Sequence, residues 1–443
     1  MIERFKKLFA DSDFSELFNQ AGISLILRIC GQAAGFVLTL VIARYFGASG
    51  LGDYVLAIAV LRGFSIISKL GLDIFSVRFI ASFVKKKMWK SIIYFKRRIE
   101  ILLIFTCLLC SLIMYFFSSE IAALINAEVF HIKLNSFLIL PMTFFILNYQ
   151  CLRGLKKIAH FSFYFRVSQA LFSIICIFVF VQFFKNDDIP IFAYLCSLLI
   201  VFILSTYSFK KSFHLKKNVQ ESESVKKFEI FDMLKISLPI MIAQLVQFIM
   251  AWTDKLMLGN MMDSDQVGIY FTAFKLSMLA SLSLMAINSI AGPKFAEMFS
   301  KNDFSSLKKV VHQSTEIIFW TTIPFFLVFF IFPQKIMLLF GDEFKIGSNA
   351  LMILSLAKLI SSFSGSVGNI LQMTGNQFVY MIILSFGALC NVVLNYYLIP
   401  IYSIEGAAIA SLLSMSLWNL GMVYFIKKEF GFYTFYNLSL IHI

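Results

Sequence analysis

Nine basic side chains fall within long apolar stretches of the sequence, where a charge is costly. A Lys or Arg at the centre of a bilayer is expensive unless it faces a cavity or a partner, so each one is a candidate for binding an anion. The Arg guanidinium is a planar fork that matches phosphate or carboxylate oxygens. The nine residues are Arg28, Arg44, Arg62, Lys69, Arg78, Arg166, Lys255, Lys275 and Lys358.

Depth along the predicted helices separates these candidates. At about 1.5 Å per residue, Arg62 and Lys358 lie about 15 Å into their helices and Arg28 about 12 Å, so these three are the first choice for substrate binding. Arg166 and Lys275 are intermediate in depth and form a second set. Three further cations lie close enough to an interface to anchor there by snorkelling: Arg44, Arg78 and Lys255.

Acidic side chains in the apolar stretches are few, chiefly Asp73 and Asp254. Lys69 precedes Asp73 by four residues, a helical spacing that predicts an ion pair. A carboxylate at this depth could hold H+ or Na+, and Asp254 is the stronger candidate provided that Lys255 points away from it. Pairing of Asp254 with a cavity cation is the alternative.

The charge balance of these stretches also bears on the cargo. Nine cations against chiefly two acids make the predicted interior net positive, which suits a pyrophosphate or an acidic sugar. An exporter of organic cations is expected to show the opposite sign. The sequence therefore favours an anionic substrate.

Three predicted helices carry a polar stripe at helical spacing, and such a face cannot point at lipid. The stripe on the first span comprises Ser24, Arg28, Gln32, Gly35 and Thr39. The stripe on the second span comprises Arg62, Lys69 and Asp73, and the stripe on the seventh comprises Ser237, Gln244, Gln247, Ala251 and Asp254. Gly31 and Gly35 also form a G-x-x-x-G step, for which we expect close helix packing rather than ligand contact.

Composition identifies the elements that must position these residues. The chain has 443 residues, of which 59% are hydrophobic and 14% charged, whereas a soluble protein carries roughly a quarter charged residues. Spans of about 20 residues leave room for about twelve helices and no soluble catalytic domain. We predict an all-α polytopic membrane protein with spans at 21–44, 54–78, 99–118, 134–152, 160–184, 189–209, 236–258, 270–292, 316–333, 348–372, 377–399 and 405–426.

The loops alternate strongly in basic charge. With a cytoplasmic N-terminus, 26 Lys and Arg fall in cytoplasmic segments and 4 in external loops, which predicts cytoplasmic termini. The excess of basic residues therefore reflects membrane topology and does not indicate a nucleic-acid site. On the cytoplasmic face these residues can contact anionic lipid. Charged residues among the first twenty argue against a cleaved signal peptide, so the first span is expected to be an uncleaved anchor.

The predicted spans repeat. Adding 216 to the borders of the first six spans reproduces the last six within a few residues. Because six is even, the halves are parallel repeats, and we expect a central cavity between them. The predicted organisation is an N-terminal half at 1–209, a cytoplasmic linker at 210–235 and a C-terminal half at 236–443.

Other chemistry finds little support. The seven cysteines lie in apolar stretches and are expected to be small core residues. Five scattered histidines have no metal-binding spacing, and the sequence has no P-loop. We therefore predict no metal site, no cofactor and no enzymatic activity.

Short motifs resemble a known family. Residues 43–47 (ARYFG) and 50–54 (GLGDY) are similar to signatures of the polysaccharide-precursor flippases in the multidrug/oligosaccharidyl-lipid/polysaccharide exporter superfamily. The pattern departs from the family at Ser403, where glycine is expected, and at Glu405. Further similar segments lie at 71–73 (GLD), 78–81 (RFIA), 254–259 (DKLMLG), 267–270 (VGIY), 395–400 (NYYLIP) and 406–410 (GAAIA).

The resemblance implies a twelve-helix V-shaped transporter of the bacterial inner membrane. It would move an undecaprenyl-pyrophosphate-linked oligosaccharide, such as an O-antigen unit, from the cytoplasmic to the periplasmic leaflet by alternating access. H+ or Na+ coupling and other polysaccharide-assembly proteins as partners are compatible with it. The alternatives are an ion-coupled multidrug-type exporter and a polytopic glycan polymerase or transferase. The latter is expected to have a long external loop, and the longest here has about 15 residues.

Overall fold

The computed structural model describes residues 12–214 and 229–435, and within these ranges the chain forms helices and no strand. Nine helices of the described ranges are long and apolar enough to cross a membrane, or ten if Val129–Ser136 and Ile139–Gly154, which meet at 51°, form one span. The chain is a multi-pass membrane protein, as predicted.

Two of these helices are each long enough for two spans. Gly22–Lys69 has 48 residues and Gln377–Phe430 has 54, whereas about 20 residues cross a bilayer. Each contains one residue with a non-helical backbone, Gly47 in the first and Ser403 in the second. If each of these two helices is counted as two spans, the ten candidate spans become the twelve that the sequence predicts.

The chain divides into two compact units. The first consists of Met1–Tyr45 and Ala57–Phe248, and the second of Phe46–Leu56 and Ile249–Ile443. The short segment Phe46–Leu56, which joins the first two predicted spans, thus groups with the second unit. The boundaries 1–209 and 236–443 stay a prediction.

Among the described residues, the first unit contains nine helices and one π-helical turn. They are α1 (Ser12–Lys69, which passes through Phe46–Leu56), α2 (Leu72–Lys85), α3 (Trp89–Phe116), α4 (Ser118–Ile125), α5 (Val129–Ser136), α6 (Ile139–Gly154), α7 (Ile158–Ser162), the π-helix Phe163–Ser168, α8 (Gln169–Phe183) and α9 (Ile189–His214).

The second unit resumes within α10, because residues up to Phe248 belong to the first unit and residues from Ile249 to the second. Its elements are α10 (Ile230–Met261), α11 (Ser264–Ser277), the 3-10 turn Met278–Ser281, α12 (Leu282–Ser300), α13 (Phe304–Ile331), α14 (Pro333–Leu338), the 3-10 turn Asp342–Gly347, α15 (Ser348–Ser364), α16 (Val367–Met373) and α17 (Gln377–Phe430).

The predicted borders differ from the helices in a few places. The tenth predicted span, 348–372, is broken at Gly365, whose φ of 76° ends α15. Both ends of the predicted linker 210–235 are helical, because α9 runs to His214 and α10 begins at Ile230. Residues 215–228 of that linker lie outside the described residues.

A carboxylate stabilises the kink within α1. Gly47 has a φ of 70°, a conformation that favours glycine. Directly after it, the backbone N–H of Ala48 donates to Glu343 Oε1 at 2.6 Å. An acceptor at this position satisfies a free N–H group at the start of the second helical segment, and its negative charge suits a helix N-terminus.

Candidate functional site

The first unit brings Arg28 and Arg166 together. Arg166 lies in the π-helical turn Phe163–Ser168, and the two guanidinium groups are close enough to repel each other. Gly31 makes this approach possible, since a Cβ there would lie 2.7 Å from the Arg166 carbonyl oxygen. The predicted packing role of Gly31 is thereby confirmed. Two neighbouring cations form a site that an anion would stabilise.

Arg62 lies in the same unit, on the surface of α1. Its guanidinium hydrogen-bonds the side chain of Tyr194 in α9, a residue that is 4% exposed. A buried phenol of this kind orients a long side chain by restricting its rotamers. Tyr194 is therefore a partner of Arg62 that the sequence did not reveal.

The predicted pair of Lys69 and Asp73 is confirmed. Lys69 Nζ lies 3.0 Å from Asp73 Oδ2, and both residues are buried. Gln244 of α10 completes the network, because its Oε1 accepts from Lys69 at 3.1 Å and its Nε2 donates to Asp73 Oδ1 at 3.1 Å. The ammonium group of Lys69 already pairs with the negative charge of Asp73, which makes Asp73 a poor carrier for an ion.

Asp254 has a different environment in the second unit. Its Oδ2 accepts from the Tyr270 hydroxyl and from Ser411 Oγ, both at 2.7 Å, and its Oδ1 accepts from Asn395 Nδ2 at 2.8 Å. The buried Asn395 Oδ1 makes no hydrogen bond among the described residues. Asp254 is 4% exposed, so a buried carboxylate lies beside a free amide oxygen, a combination of oxygens that suits a small hard cation.

Lys255 and Lys358 lie near this carboxylate without pairing with it. Their Nζ atoms are 3.5 Å and 5.4 Å from the centroid of the Phe274 ring. Within the described residues neither ammonium forms an ion pair with a carboxylate. Lys255 Nζ donates instead to the Ala251 carbonyl at 2.8 Å. Lys255 thus points away from Asp254, which is the condition under which the sequence favours Asp254 as the ion-binding carboxylate.

The expectation that Lys255 snorkels to an interface is wrong. The residue is 2% exposed, because aromatic rings of α11 cover it and take the place of water. Arg44 and Arg78, for which the same role was predicted, are exposed. Lys275 is half-buried, with Nζ 5.4 Å from the centroid of the Phe271 ring.

A polar pocket of about 300 Å³ opens in the second unit. No charged side chain lines it, and two buried polar atoms in it, Asn288 Oδ1 and Ser366 Oγ, make no hydrogen bond among the described residues. Amides, hydroxyls and aromatic rings predominate in its lining: Asn288, Ser361, Ser366, Asn369, Gln372, Tyr380, Trp418 and Asn419. Amides beside aromatic faces can hydrogen-bond and stack on a neutral polar ring.

Sequence reasoning missed the side chains around Asp254. Tyr270, Asn395 and Ser411 come from three different helices or helix segments, and none of them carries charge. One local signal existed, since Asn391 and Asn395 are four residues apart in an apolar stretch, and Asn395 Nδ2 donates to Asn391 Oδ1 at 3.1 Å. Buried amides in a span are costly and therefore informative.

Comparison with known proteins identifies similar sequence families and relatives. Residues 17–299 match the model of a family described as polysaccharide biosynthesis protein, and residues 239–397 match the MatE model. Over 168 residues, 38% of this chain, it is 29% identical to the probable low-salt glycan biosynthesis flippase Agl15 of Haloferax volcanii, covering 36% of that protein. Over 262 residues, 59% of this chain, it is 21% identical to the capsular polysaccharide biosynthesis protein CapF of Staphylococcus aureus, covering 65% of it.

Solved structures agree on the fold. An inward-facing multidrug resistance MATE family transporter of the MOP superfamily has a TM-score of 0.72 at 14% identity, covering 92% of this chain and 98% of that one. The lipid II flippase MurJ in an inward closed conformation has a TM-score of 0.69 at 16% identity, covering 91% and 88%. Likeness at such identity concerns the fold alone.

Proposed function

Because the chain belongs to the polysaccharide biosynthesis protein family, a group within the MOP superfamily, we propose that it is a flippase for a lipid-linked oligosaccharide. Its cargo is an undecaprenyl-pyrophosphate-linked unit of a surface polysaccharide, such as an O-antigen. It moves this unit from the cytoplasmic to the periplasmic leaflet by alternating access, without breaking a bond in it. The names of the relatives, probable flippases and a capsular polysaccharide protein, support this proposal.

The observation that carries the proposal is the distribution of charge inside the two units. Arg28 and Arg166, both half-buried, lie near each other in the first unit, and Lys358 is buried without an ion pair among the described residues. The acid in the first unit, Asp73, is already paired with Lys69. A buried cation without a carboxylate partner is tolerated where an anion binds, and a pyrophosphate supplies the negative charge.

The polar pocket of the second unit supports a glycan as cargo. Its lining is neutral and offers amide and hydroxyl groups that can hydrogen-bond sugar hydroxyls, and Trp418 and Tyr380 offer ring faces for stacking. Asn288 Oδ1 and Ser366 Oγ are acceptors left free among the described residues. Sugar hydroxyl groups would satisfy both atoms, which are otherwise costly to bury.

Asp254 is the proposed coupling residue. Its Oδ2 accepts two hydrogen bonds and its Oδ1 accepts one, so Oδ1 keeps a lone pair that can take a proton or a Na+ ion. For Na+, the hydroxyl oxygens of Tyr270 and Ser411 also keep lone pairs, and Asn395 Oδ1 is a further ligand. We therefore propose H+ or Na+ as the coupling ion at this site.

The proposed location is a bacterial inner membrane with both termini in the cytoplasm. The basic asymmetry of 26 against 4 supports this orientation. Reporter fusions within 210–235 and 293–315 should give cytoplasmic signals, and fusions near 120–132 periplasmic ones. A periplasmic signal from 210–235 would overturn the proposed topology.

The alternative is an ion-coupled exporter of small molecules, which the MATE-like fold also supports. Deletion of the gene in its host separates the two. A flippase deletion accumulates a lipid-linked glycan on the cytoplasmic face and loses the surface polysaccharide, whereas an exporter deletion leaves both unchanged and raises sensitivity to a toxic compound. Restoration of surface display by the plasmid-borne gene completes the test.

A further inference from the structure

Three side chains meet in the first unit: Glu128 and His131 are three positions apart, and Asp188 lies 57 positions after His131. His131, in α5, is 2% exposed, and its Nε2 lies 2.7 Å from Asp188 Oδ1 and 3.5 Å from Glu128 Oε2. Asp188 immediately precedes α9, and Glu128 immediately precedes α5. The three potential ligand atoms all lie within 4.8 Å of one another.

The geometry leaves one imidazole nitrogen between two carboxylates. In the neutral ring Nε2 carries at most one proton, which satisfies one of the two oxygens. A protonated ring supplies a single positive charge against two negative charges. A divalent cation supplies two, and it bonds directly to all three ligand atoms.

We propose that Glu128, His131 and Asp188 bind a divalent transition-metal ion. One imidazole nitrogen with two carboxylate oxygens is a donor set for Zn2+ or Mn2+, whereas Ca2+ and Mg2+ prefer oxygen alone. An ion reaches the site from the solvent side, since the Glu128 side chain is 63% exposed and the Asp188 side chain 27%. Water completes the coordination there.

The bound ion would link two loops of the first unit. Glu128 belongs to the connection between α4 and α5, and Asp188 to the connection between α8 and α9. By the predicted topology both connections are external. The ion would therefore stabilise the external ends of these helices, and its effect does not depend on which cargo the protein carries.

The direct test is Mn2+ binding to the purified full-length protein. The protein is prepared with an affinity tag other than polyhistidine and treated with EDTA, and the loss of the free Mn2+ electron paramagnetic resonance signal is titrated. We expect one site per chain, displacement of Mn2+ by Zn2+, and a higher melting temperature with metal, because a ligand that binds only the folded state stabilises it.

Ligand variants identify the site. Asp188→Asn and Glu128→Gln keep side-chain size and should weaken Mn2+ binding by more than about tenfold. Glu120→Gln, at another exposed acid in α4, should bind as the wild type does. Absence of stoichiometric binding of both Mn2+ and Zn2+ to the folded wild type would overturn the proposal, as would unchanged binding in Asp188→Asn and Glu128→Gln.

Discussion

The backbone nitrogen of Gly52 lies 3.1 Å from the point that a Cβ on Gly268 would occupy. These glycines are 216 positions apart, the same shift that relates the predicted spans of the two halves. A Cβ on Gly52 would lie 1.7 Å from the carbonyl oxygen of Ser264. The start of the second span and its repeat-related helix α11 therefore touch through backbone atoms, at residues that the repeat itself relates.

Substitution of Gly52 by Ala should be strongly destabilising. The added methyl group would overlap backbone rather than a flexible side chain, and overpacking of this kind costs at least about 1–3 kcal/mol. We expect a lower melting temperature in detergent and reduced membrane abundance. Gly22→Ala is the matched control, because nothing lies within 4 Å of a Cβ there. Equal melting temperatures for the two variants would contradict the close contact.

Substitution of Ser403 by Gly should stabilise the protein. Ser403 has φ 52° and ψ −128°, a conformation dominated by glycine, and such a backbone costs a non-glycine residue about 1–3 kcal/mol. The variant loses the hydrogen bond from Ser403 Oγ to Gln266 Oε1 at 3.2 Å, worth about 1 kcal/mol. The net gain should be about 1 kcal/mol, measured as a rise in melting temperature.

A control variant separates this effect from a general preference for glycine. Ser416→Gly, in the regular part of α17, should lower stability by about 0.5–1 kcal/mol. A melting temperature for Ser403→Gly at or below that of Ser416→Gly would show that the backbone at Ser403 is not strained.

Substitution of Asp254 by Asn should abolish the dependence of transport on its coupling ion. The amide keeps the side-chain shape but removes the negative charge, and its NH2 group faces the donors Tyr270, Ser411 or Asn395. Tyr270→Phe keeps the charge and removes one donor, so its effect should be smaller. Transport is followed in proteoliposomes with and without a Na+ gradient and with and without an H+ gradient. Unchanged ion dependence in Asp254→Asn would remove it as the coupling site.

Substitution of Arg62 by Lys should impair glycan display although the charge is kept. A lysine ammonium cannot reproduce the two-pronged contact of a guanidinium with phosphate. Arg62→Ala should be worse, and Tyr194→Phe should weaken display by freeing the Arg62 side chain. Arg44→Lys, at an exposed position, should be nearly silent. Complementation of a deletion strain measures display, normalised to membrane protein level by immunoblot.

Two outcomes would count against a binding role for Arg62. Wild-type display from well-expressed Arg62→Ala would end the claim that this residue holds the substrate. Display lost only in proportion to protein abundance would indicate a structural role instead.

Features that depend on local sequence were predictable here. Hydropathy alone located the spans, because every backbone group in a membrane must find its partner within a helix and an apolar run of sufficient length is therefore a helix. The pair of Lys69 and Asp73 formed as predicted, although α1 ends at Lys69 and α2 begins at Leu72, so the pair bridges a break between two helices instead of one helical turn. The family pattern singled out Ser403 as a position for glycine, and the backbone there does have a positive φ.

Features that depend on the rotation and packing of helices were decided by the tertiary structure. The partners of Asp254 are 16, 141 and 157 positions away, and Asp188 is 57 positions from His131. Lys255 was assigned to an interface by its depth, yet it is buried because Phe274 lies over its ammonium group. Hydropathy gives the position of a residue along a helix axis. Only the packing of neighbouring helices determines which side chains lie next to that residue.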